Sequence, residues 1–213
     1  MEINDIYSFK GGKEFLEKNH MGELEDVINA IKSLDINKIL TKKSKEKNKP
    51  SIIFSPIDMN KELSNFLHDR GWTESNVNSK KGLKEPKLYL NTREFRAMDG
   101  LKNKVGLEVQ FGKYAFMGYD IFSKMPIFKN KGLIDCGIEV VLSNSMIPHM
   151  STGVSSFNQI IMDIKARGES DLDIPVLIIG FECSSDGWKL VEKIRSNGII
   201  KETGLQGTIP GPK

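Results

Sequence analysis

The sequence has few of the features that mark a secreted, membrane or zinc-binding protein. Its two cysteines, Cys136 and Cys183, stand far apart without a C-x-x-C pair, which argues against a disulfide framework and against a zinc site. It has no run of about 18 apolar residues, the length that spans a membrane. The opening residues MEINDIYSFKGGKEF lack the basic and then apolar layout of a signal peptide. We therefore expect a cytoplasmic protein.

Motifs for two other kinds of chemistry are absent as well. The stretch FKGGKEF has two adjacent glycines but not the G-x-x-x-x-G-K-[ST] pattern that cradles phosphates, so nothing indicates ATP binding. His149 has no recognisable motif with a Ser or Cys nucleophile and an Asp, so we assign it no catalytic role. The chemistry has to come from another group of residues.

Helical and extended patterns alternate along the 213 residues, whose 38% hydrophobic content is enough for one large core. Apolar spacing predicts a helix over 21–34. It predicts another that begins with hydroxyl residues, which can cap it, and ends near Gly168. Further helical patterns are MNKELSNFLHDRGW, YAFMGYDIFSKM and SSDGWKLVEKIRSNG, and the extended ones are PSIIFSP, GLEVQF, GLIDCGIEVVLSN and IPVLIIGFE. We predict one domain over 1–213, of the α/β class, with a mixed central sheet flanked by helices on both faces.

Two segments show no sustained period. Residues 74–104 are polar and rich in Lys, Asn and Gly, which predicts a long loop that carries short elements. Long loops in compact domains are often functional. A loose tail is expected at about 204–213.

Positive charge is concentrated in one stretch, although the formal net charge is only +3. KILTKKSKEKNK contains six lysines, and Glu46 is the one acidic residue among them. Such a stretch is either a solvated loop or a surface that contacts a polyanion.

The predicted strand GLEVQF carries two polar residues on one face. Side chains alternate along a strand, so Glu108 and Gln110 point the same way, opposite to Leu107, Val109 and Phe111. Two residues apart, they are separated by about 6 to 7 Å, which is close enough to bracket one small ligand or ion. The alternative is a solvated outer face of an amphipathic strand.

A second carboxylate, Asp99, precedes this strand in a turn. A carboxylate in a turn, followed by a strand with a carboxylate and a polar residue two positions on, is the layout of the PD-(D/E)XK nuclease core. Hydrolysis of a phosphodiester needs charge neutralisation and an activated water, and Mg²⁺ held by hard carboxylate oxygens supplies both. Asp99 and Glu108 are the candidate ligands. Gln110 replaces the usual lysine; it is neutral and can only orient a water or another ligand.

Longer segments make this interpretation more specific. TKKSKEKNKPSIIFSPIDMNKELSNFLHDRGWTES, LEVQFGKYAFMGYD and MSTGVSSF followed by a helix resemble type II restriction endonucleases of the BglII and BstYI group, BstYI more closely. The resemblance covers most of the chain in the same order. That group has the Gln-containing variant of the core, so Gln110 agrees with it. Residues between Trp72 and Asp99 and after about Gly187 match less well.

The resemblance implies the restriction-endonuclease fold and a homodimer that encloses duplex DNA and cuts each strand once. The implied target is a palindrome with a GATC centre, purine-GATC-pyrimidine by the likeness to BstYI. A DNA methyltransferase that protects the host's own sites would be the genetic partner.

DNA contacts are expected from residues beside the core motif. The resemblance assigns base recognition to the position of Lys113, although a lysine there could equally hold a phosphate. It also places a base-reading segment at Ser151, Thr152 and Ser155, whose hydroxyls could otherwise cap a helix. Glu25, in the first predicted helix, is a candidate auxiliary carboxylate or simply a favourable charge near a helix N-terminus.

Two rival functions remain at this point. One is a repair or recombination nuclease with the same core and little sequence preference. The other is a DNA-binding protein that kept the fold and does not cut, although such a protein has no need of Asp99, Glu108 and Gln110 together.

Overall fold

The computed structural model describes residues 1–72 and 86–203, in which strands and helices alternate. The strands are β1 (Glu2–Phe9), β2 (Lys42–Lys43), β3 (Ile52–Ile53), β4 (Lys87–Tyr89), β5 (Phe95–Ala97), β6 (Gly100–Lys102), β7 (Val105–Val109), β8 (Cys136–Leu142) and β9 (Val176–Glu182). The helices are α1 (Gly12–Asn19), α2 (Met21–Lys32), α3 (Ile36–Ile39), α4 (Pro56–His68), α5 (Ala115–Tyr119), α6 (Met125–Asn130), α7 (Phe157–Arg167) and α8 (Ser185–Thr203). A π-helical turn, Asp120–Lys124, joins α5 to α6, and a 3-10 helix, Asn144–His149, follows β8.

The central sheet has five strands in the order β1-β9-β8-β7-β6. Strands β7, β8 and β9 run parallel, whereas β1 and β6 pair antiparallel at the two edges. All seven residues of β8 are buried, as expected for a strand that is covered on both sides. The predicted mixed sheet of the α/β class is therefore confirmed.

Each face of the sheet is covered by its own apolar core. Leu107, Ile138 and Leu177 point to the face packed by α2, α4 and α8. Val141 and Ile178 point to the face packed by α5, α6 and α7. Because neighbouring residues of a strand point to opposite faces, Glu108 and Glu139, which pair in register on β7 and β8, lie on the second face.

Glycines let elements approach this sheet closely. A Cβ added to Gly137 would lie 2.4 Å from the sulfur of Met125, so glycine allows α6 to pack on β8. A Cβ on Gly12 would lie 2.2 Å from the carbonyl carbon of Val176, so α1 begins against β9 for the same reason. The two-glycine stretch therefore has a packing role.

The order of elements agrees with most of the predictions. The helix predicted over 21–34 is Met21–Lys32, and α7 ends before Gly168 as expected. The strand β1 and the helix α1 were not predicted from the sequence. Gly100–Lys102 lie in the segment predicted to be a loop that carries short elements, and they form the edge strand β6 of the central sheet.

Two predicted features fall partly or wholly outside the described residues. These are the first part of the loop predicted at 74–104 and the tail predicted at about 204–213. Across the ranges 1–72 and 86–203, no helix has the length and apolar composition to cross a membrane.

Candidate active site and DNA-facing surface

The structure brings Asp99, Glu108 and Gln110 together at one end of β7. Strand β6 pairs Gly100 with Leu107, and one further step of this antiparallel register sets Asp99 opposite Glu108. Asp99 Oδ2 accepts a hydrogen bond of 2.8 Å from the backbone N–H of Val109, which fixes its carboxylate beside the strand. Asp99 is solvent-exposed, whereas Glu108 is only 3% exposed.

Gln110 lies just past the strand end. Its backbone N–H continues the sheet by donating to the carbonyl of Val140 at 2.9 Å. Its side-chain amide Nε2 donates to the carbonyl of Lys113 at 2.8 Å and so holds the turn that follows. A cleft lined by Ser64 and His68 of α4 reaches Asp99 and Val109 at this same end of the strand.

Glu108 is not on a solvated outer face, because it is buried beside Lys124 and Asp120 of the π-helical turn. Its Oε1 lies 2.9 Å from the ammonium of Lys124, which also pairs with Asp120 Oδ1 at 2.6 Å. The side chains of all three residues are at most 14% exposed. Lys124 thus links the strand carboxylate to a carboxylate of the π-helical turn.

A fourth charged group, Glu139, lies beside Glu108 on the neighbouring strand. Glu139 is fully buried, and neither of its carboxylate oxygens has a hydrogen-bond partner within the described chain. We call Glu108, Asp120, Lys124 and Glu139 the buried charge cluster. It has three carboxyl groups for one ammonium.

The excess of carboxyl groups over ammonium groups in this cluster contributes to the shifts of its pKa values. Burial, then the charges of Asp99 and Asp120, raise the pKa of Glu108 well above its ordinary value despite the opposing effect of Lys124. Burial, then the charges of Asp120 and Glu108, raise the pKa of Glu139 in the same way. Burial alone would lower the pKa of Lys124, but the charges of Glu108 and Asp120 outweigh it and raise that pKa.

Sequence reasoning missed Asp120, Lys124 and Glu139. A signal for the first two was present, since they are four residues apart and so share one face of a helical segment. Glu139 was the one acidic residue in the apolar run CGIEVVL, where an unpaired carboxyl is unexpected.

The carboxylates fit a divalent cation. Asp99 and Glu108 offer hard oxygen donors on neighbouring strands, and the local excess of negative charge is of the kind that a cation offsets. Mg²⁺ is usually held by one or two carboxylates together with waters and substrate phosphates. Within residues 1–72 and 86–203, no group of three or more His, Cys, Asp or Glu side chains is arranged to hold a metal ion by itself.

Glu25 is exposed on α2. The charged groups that shift the pKa of Glu108 are Asp99, Asp120 and Lys124, and Glu25 is not among them. Glu25 is therefore not one of the charges that act on Glu108, and its role as an auxiliary carboxylate stays a prediction.

The predicted base-reading segment lies against the turn that follows β7. Lys113 forms an isolated bridge with Val154, and the backbone N–H of Ser155 donates to the carbonyl of Gly112 at 3.0 Å. Lys113 and Thr152 are exposed and Ser151 is half-buried, so these three residues face solvent near the end of β7.

Ser155 differs from the other two hydroxyl residues. It is fully buried, and its hydroxyl donates to the carbonyl of Gly112 at 3.2 Å. None of the three predicted residues caps α7: the N-cap is Ser156, which forms a capping box with Gln159.

The lysine-rich stretch forms a hairpin that rests on this segment. Strands β2 and β3 pair antiparallel, and residues 42–53 of this basic hairpin contact the loop after β8. Lys42 Nζ donates to the hydroxyl of Ser151 at 2.6 Å, and Lys49 Nζ donates to the carbonyl of Ile147 at 2.9 Å. Glu46 accepts hydrogen bonds from both the backbone N–H and the hydroxyl of Thr152.

His149 takes part in the support of this hairpin. Its Nδ1 lies 3.0 Å from Arg195 Nη1, and Arg195 Nε donates to the carbonyl of Ile52 in β3. Burial, with the nearby charges of Arg195 and Lys49, lowers the pKa of His149. These contacts connect α8 and the loop after β8 to β3 of the hairpin.

The fold is that of the restriction endonucleases. The crystal structure of restriction endonuclease BglII complexed with a DNA 16-mer matches with a TM-score of 0.65 and 17% sequence identity, over 84% of this chain and 76% of that chain. In sequence, residues 4–181 match the family model described as restriction endonuclease BglII/BglIII. No curated protein matches the sequence.

The chain therefore belongs to the BglII/BglIII restriction endonuclease family. The predicted resemblance to that group is confirmed. The closer likeness to BstYI stays a prediction.

Proposed function

We propose that this protein is a Mg²⁺-dependent type II deoxyribonuclease that cuts both strands of duplex DNA at a palindromic, GATC-centred site. The observation that carries the proposal is the meeting of Asp99, Glu108 and Gln110 at one end of β7 in a chain of this family. A module that only binds DNA has no need of two carboxylates at such a position, one of them at a large desolvation cost.

In this mechanism Asp99 and Glu108 hold the metal. When bound, Mg²⁺ would neutralise charge on the scissile phosphate and lower the pKa of an attacking water. The protein's own contribution is positioning. The Val109 N–H holds the Asp99 carboxylate, and Lys124 holds that of Glu108. The Gln110 amide, already anchored to the turn at Lys113, orients the water or another ligand.

Binding of DNA uses two kinds of contact. The exposed lysines of the basic hairpin supply sequence-independent affinity through phosphates, so binding should weaken steeply as salt increases. Lys113, Ser151 and Thr152 are the proposed base-reading residues, because they are accessible beside the end of β7. Ser155, being buried, would contribute by holding Gly112 in place.

A palindromic target favours a two-fold symmetric enzyme, so we propose a homodimer with one active site for each strand. The outer bases are proposed to be a purine and a pyrimidine. The enzyme would work in the cytoplasm beside a methyltransferase that protects the same site in the host.

The test is digestion of unmethylated DNA of known sequence with Mg²⁺, followed by sequencing of the fragment ends, with Ca²⁺ as a parallel control. Discrete fragments that end at GATC-centred sites are expected, and their ends read out the outer bases. A smear would instead support a sequence-tolerant repair nuclease. Intact DNA under several metals and salt concentrations would support a binding protein that does not cut.

A further inference from the structure

The contact between the basic hairpin and the base-reading loop is more specific than a charged surface requires. Lys42 and Glu46 each contact a different hydroxyl of the loop, Ser151 and Thr152 respectively. Both hairpin residues are exposed, and the hydrogen bonds described here for them do not involve the buried charge cluster. Their partners are two of the side chains proposed to read bases.

A hydroxyl group can offer one hydrogen-bond donor and two acceptor lone pairs, so its partner decides what remains for DNA. An ionised carboxylate only accepts hydrogen bonds. The hydrogen bonds from Thr152 lower the pKa of Glu46, which keeps that carboxyl ionised. Because the hydroxyl of Thr152 donates its hydrogen bond to Glu46, only the lone pairs of that hydroxyl remain for DNA, and they can only accept hydrogen bonds.

Ser151 is in the opposite situation. The ammonium of Lys42 only donates hydrogen bonds, and it donates to the hydroxyl oxygen of Ser151 at 2.6 Å. One lone pair of Ser151 is thereby used, while its hydroxyl proton stays available for DNA. The two neighbouring hydroxyls are thus left with different hydrogen-bonding character.

Different character has a direct meaning in the major groove. The exocyclic amino groups of cytosine and adenine are donors there, whereas guanine O6 and N7 and thymine O4 are acceptors. A hydroxyl that can only accept selects an amino group. A hydroxyl with a free proton can also pair with an acceptor, which guanine, adenine and thymine all present.

We propose that Glu46 is a positioning residue for sequence specificity, which sets Thr152 to read a base with an amino group, while Lys42 leaves Ser151 a proton that can pair with an acceptor. This inference rests on the proposed function, since it assumes that the loop meets base edges. It adds that the basic hairpin contributes to specificity as well as to affinity.

The experiment measures binding by fluorescence anisotropy in Ca²⁺, with the cleaved duplex and a set in which each base pair is replaced in turn. Discrimination at a position is the ratio of the Kd for the replaced duplex to the Kd for the cleaved duplex. For Glu46→Ala this ratio should fall about tenfold at one symmetric pair of positions where the cognate base carries an amino group, because one mismatched base pair typically costs that much or more in affinity. Discrimination at the other positions should stay as in the wild type.

Two further variants keep the result interpretable. Thr152→Val removes the hydroxyl, so it should lose discrimination at the same position, and adding Glu46→Ala to it should change nothing further. Lys45→Gln, an exposed lysine of the same hairpin, serves as a control. It should weaken binding equally for all duplexes, as loss of a phosphate contact does.

The outcomes separate this inference from the function on which it rests. If the wild-type protein binds all duplexes equally, the proposed site-specific function fails. Suppose instead that the wild type discriminates between the duplexes. The inference about Glu46 is then overturned, while the proposed function stands, if Glu46→Ala keeps the wild-type discrimination or binds all duplexes more weakly by the same factor. The same conclusion follows if this variant loses discrimination at a position whose base carries no amino group.

Discussion

The buried charge cluster and the basic hairpin use the same kinds of side chain in opposite environments. In the cluster, Lys124 and the carboxylates of Glu108 and Asp120 are shielded from water, and burial is the first cause of the raised carboxyl pKa values. In the hairpin, Lys42 and Glu46 are exposed. Exposed ion pairs contribute little stability because water and salt screen them, whereas the loss of one partner from a buried pair is costly.

Lysine and glutamate thus serve two purposes in this protein. Where water is excluded, they set the charge and position of the Glu108 carboxylate, the proposed metal ligand. Where water is present, they set the direction of hydrogen bonds and would supply the proposed attraction for DNA. Substitutions in the two regions should therefore affect different measurements.

The largest expected effect is on cleavage. Glu108→Ala should abolish cleavage, because a proposed metal ligand is lost, while specific DNA binding stays largely intact. The matched control is Glu25→Ala, which removes an exposed carboxylate of α2 and should leave the cleavage rate near the wild-type value. Cleavage is followed on gels and binding by anisotropy in Ca²⁺. Equal cutting by Glu108→Ala and the wild type would overturn the proposed active site.

The next effect is on stability. Lys124→Met leaves Glu108 and Asp120 without their shared counter-ion and should lower the free energy of unfolding by about 3–5 kcal/mol, as measured by urea denaturation. Lys104→Met removes the exposed partner of Asp135 and should cost about 1 kcal/mol at most. Adding Asp120→Asn to Lys124→Met should recover part of the loss. Equal stability of the two single variants would remove the distinction between buried and exposed charge.

A third effect concerns pH. A carboxyl group whose pKa is higher in the folded than in the unfolded chain binds its proton more tightly when folded, so stability is lost as pH rises above the ordinary value of 4.5. Glu139→Gln, which stays neutral, should therefore flatten the fall in unfolding free energy between acid and neutral pH without metal. Unfolding titrations across that range check this, with Glu25→Gln as the exposed control. An unchanged slope would show that Glu139 does not carry the effect.

The smallest effect is expected in the hairpin. Glu46→Ala and Lys42→Met should leave the urea midpoint unchanged within error, since both residues are exposed and their hydrogen bonds compete with water. The same two variants should change base discrimination. A stability loss comparable with that of Lys124→Met would mean that the hairpin holds the fold together.

The spacing of the proposed site residues could be read from the sequence. Asp99 before the strand and Glu108 and Gln110 two apart on it could be proposed as a group, because strand alternation sets which side chains share a face. The apolar stripes of α2 and α7 and the hydroxyl residues before α7 were equally local signals. These features depend on residues close together in the chain.

The remaining parts of the site depend on residues far apart in the chain. Glu139 meets Glu108 only through the parallel register of β7 and β8, and Glu46 meets Thr152 only once the hairpin folds onto the loop. Strand β1 alternates between exposed and half-buried residues at the sheet edge, so its hydrophobic pattern is weak. Ser155 could not be separated from Ser151 and Thr152 without knowing which side chain the turn at Gly112 buries.

The most direct test of the central claim is anomalous diffraction from crystals of the protein–DNA complex prepared with Mn²⁺, a substitute for Mg²⁺ that can be located by its own scattering. We expect a Mn²⁺ peak bound to carboxylate oxygens of Asp99 and Glu108 and next to the scissile phosphate. A peak that contacts neither carboxylate while the phosphate lies in the site would contradict the proposed active site.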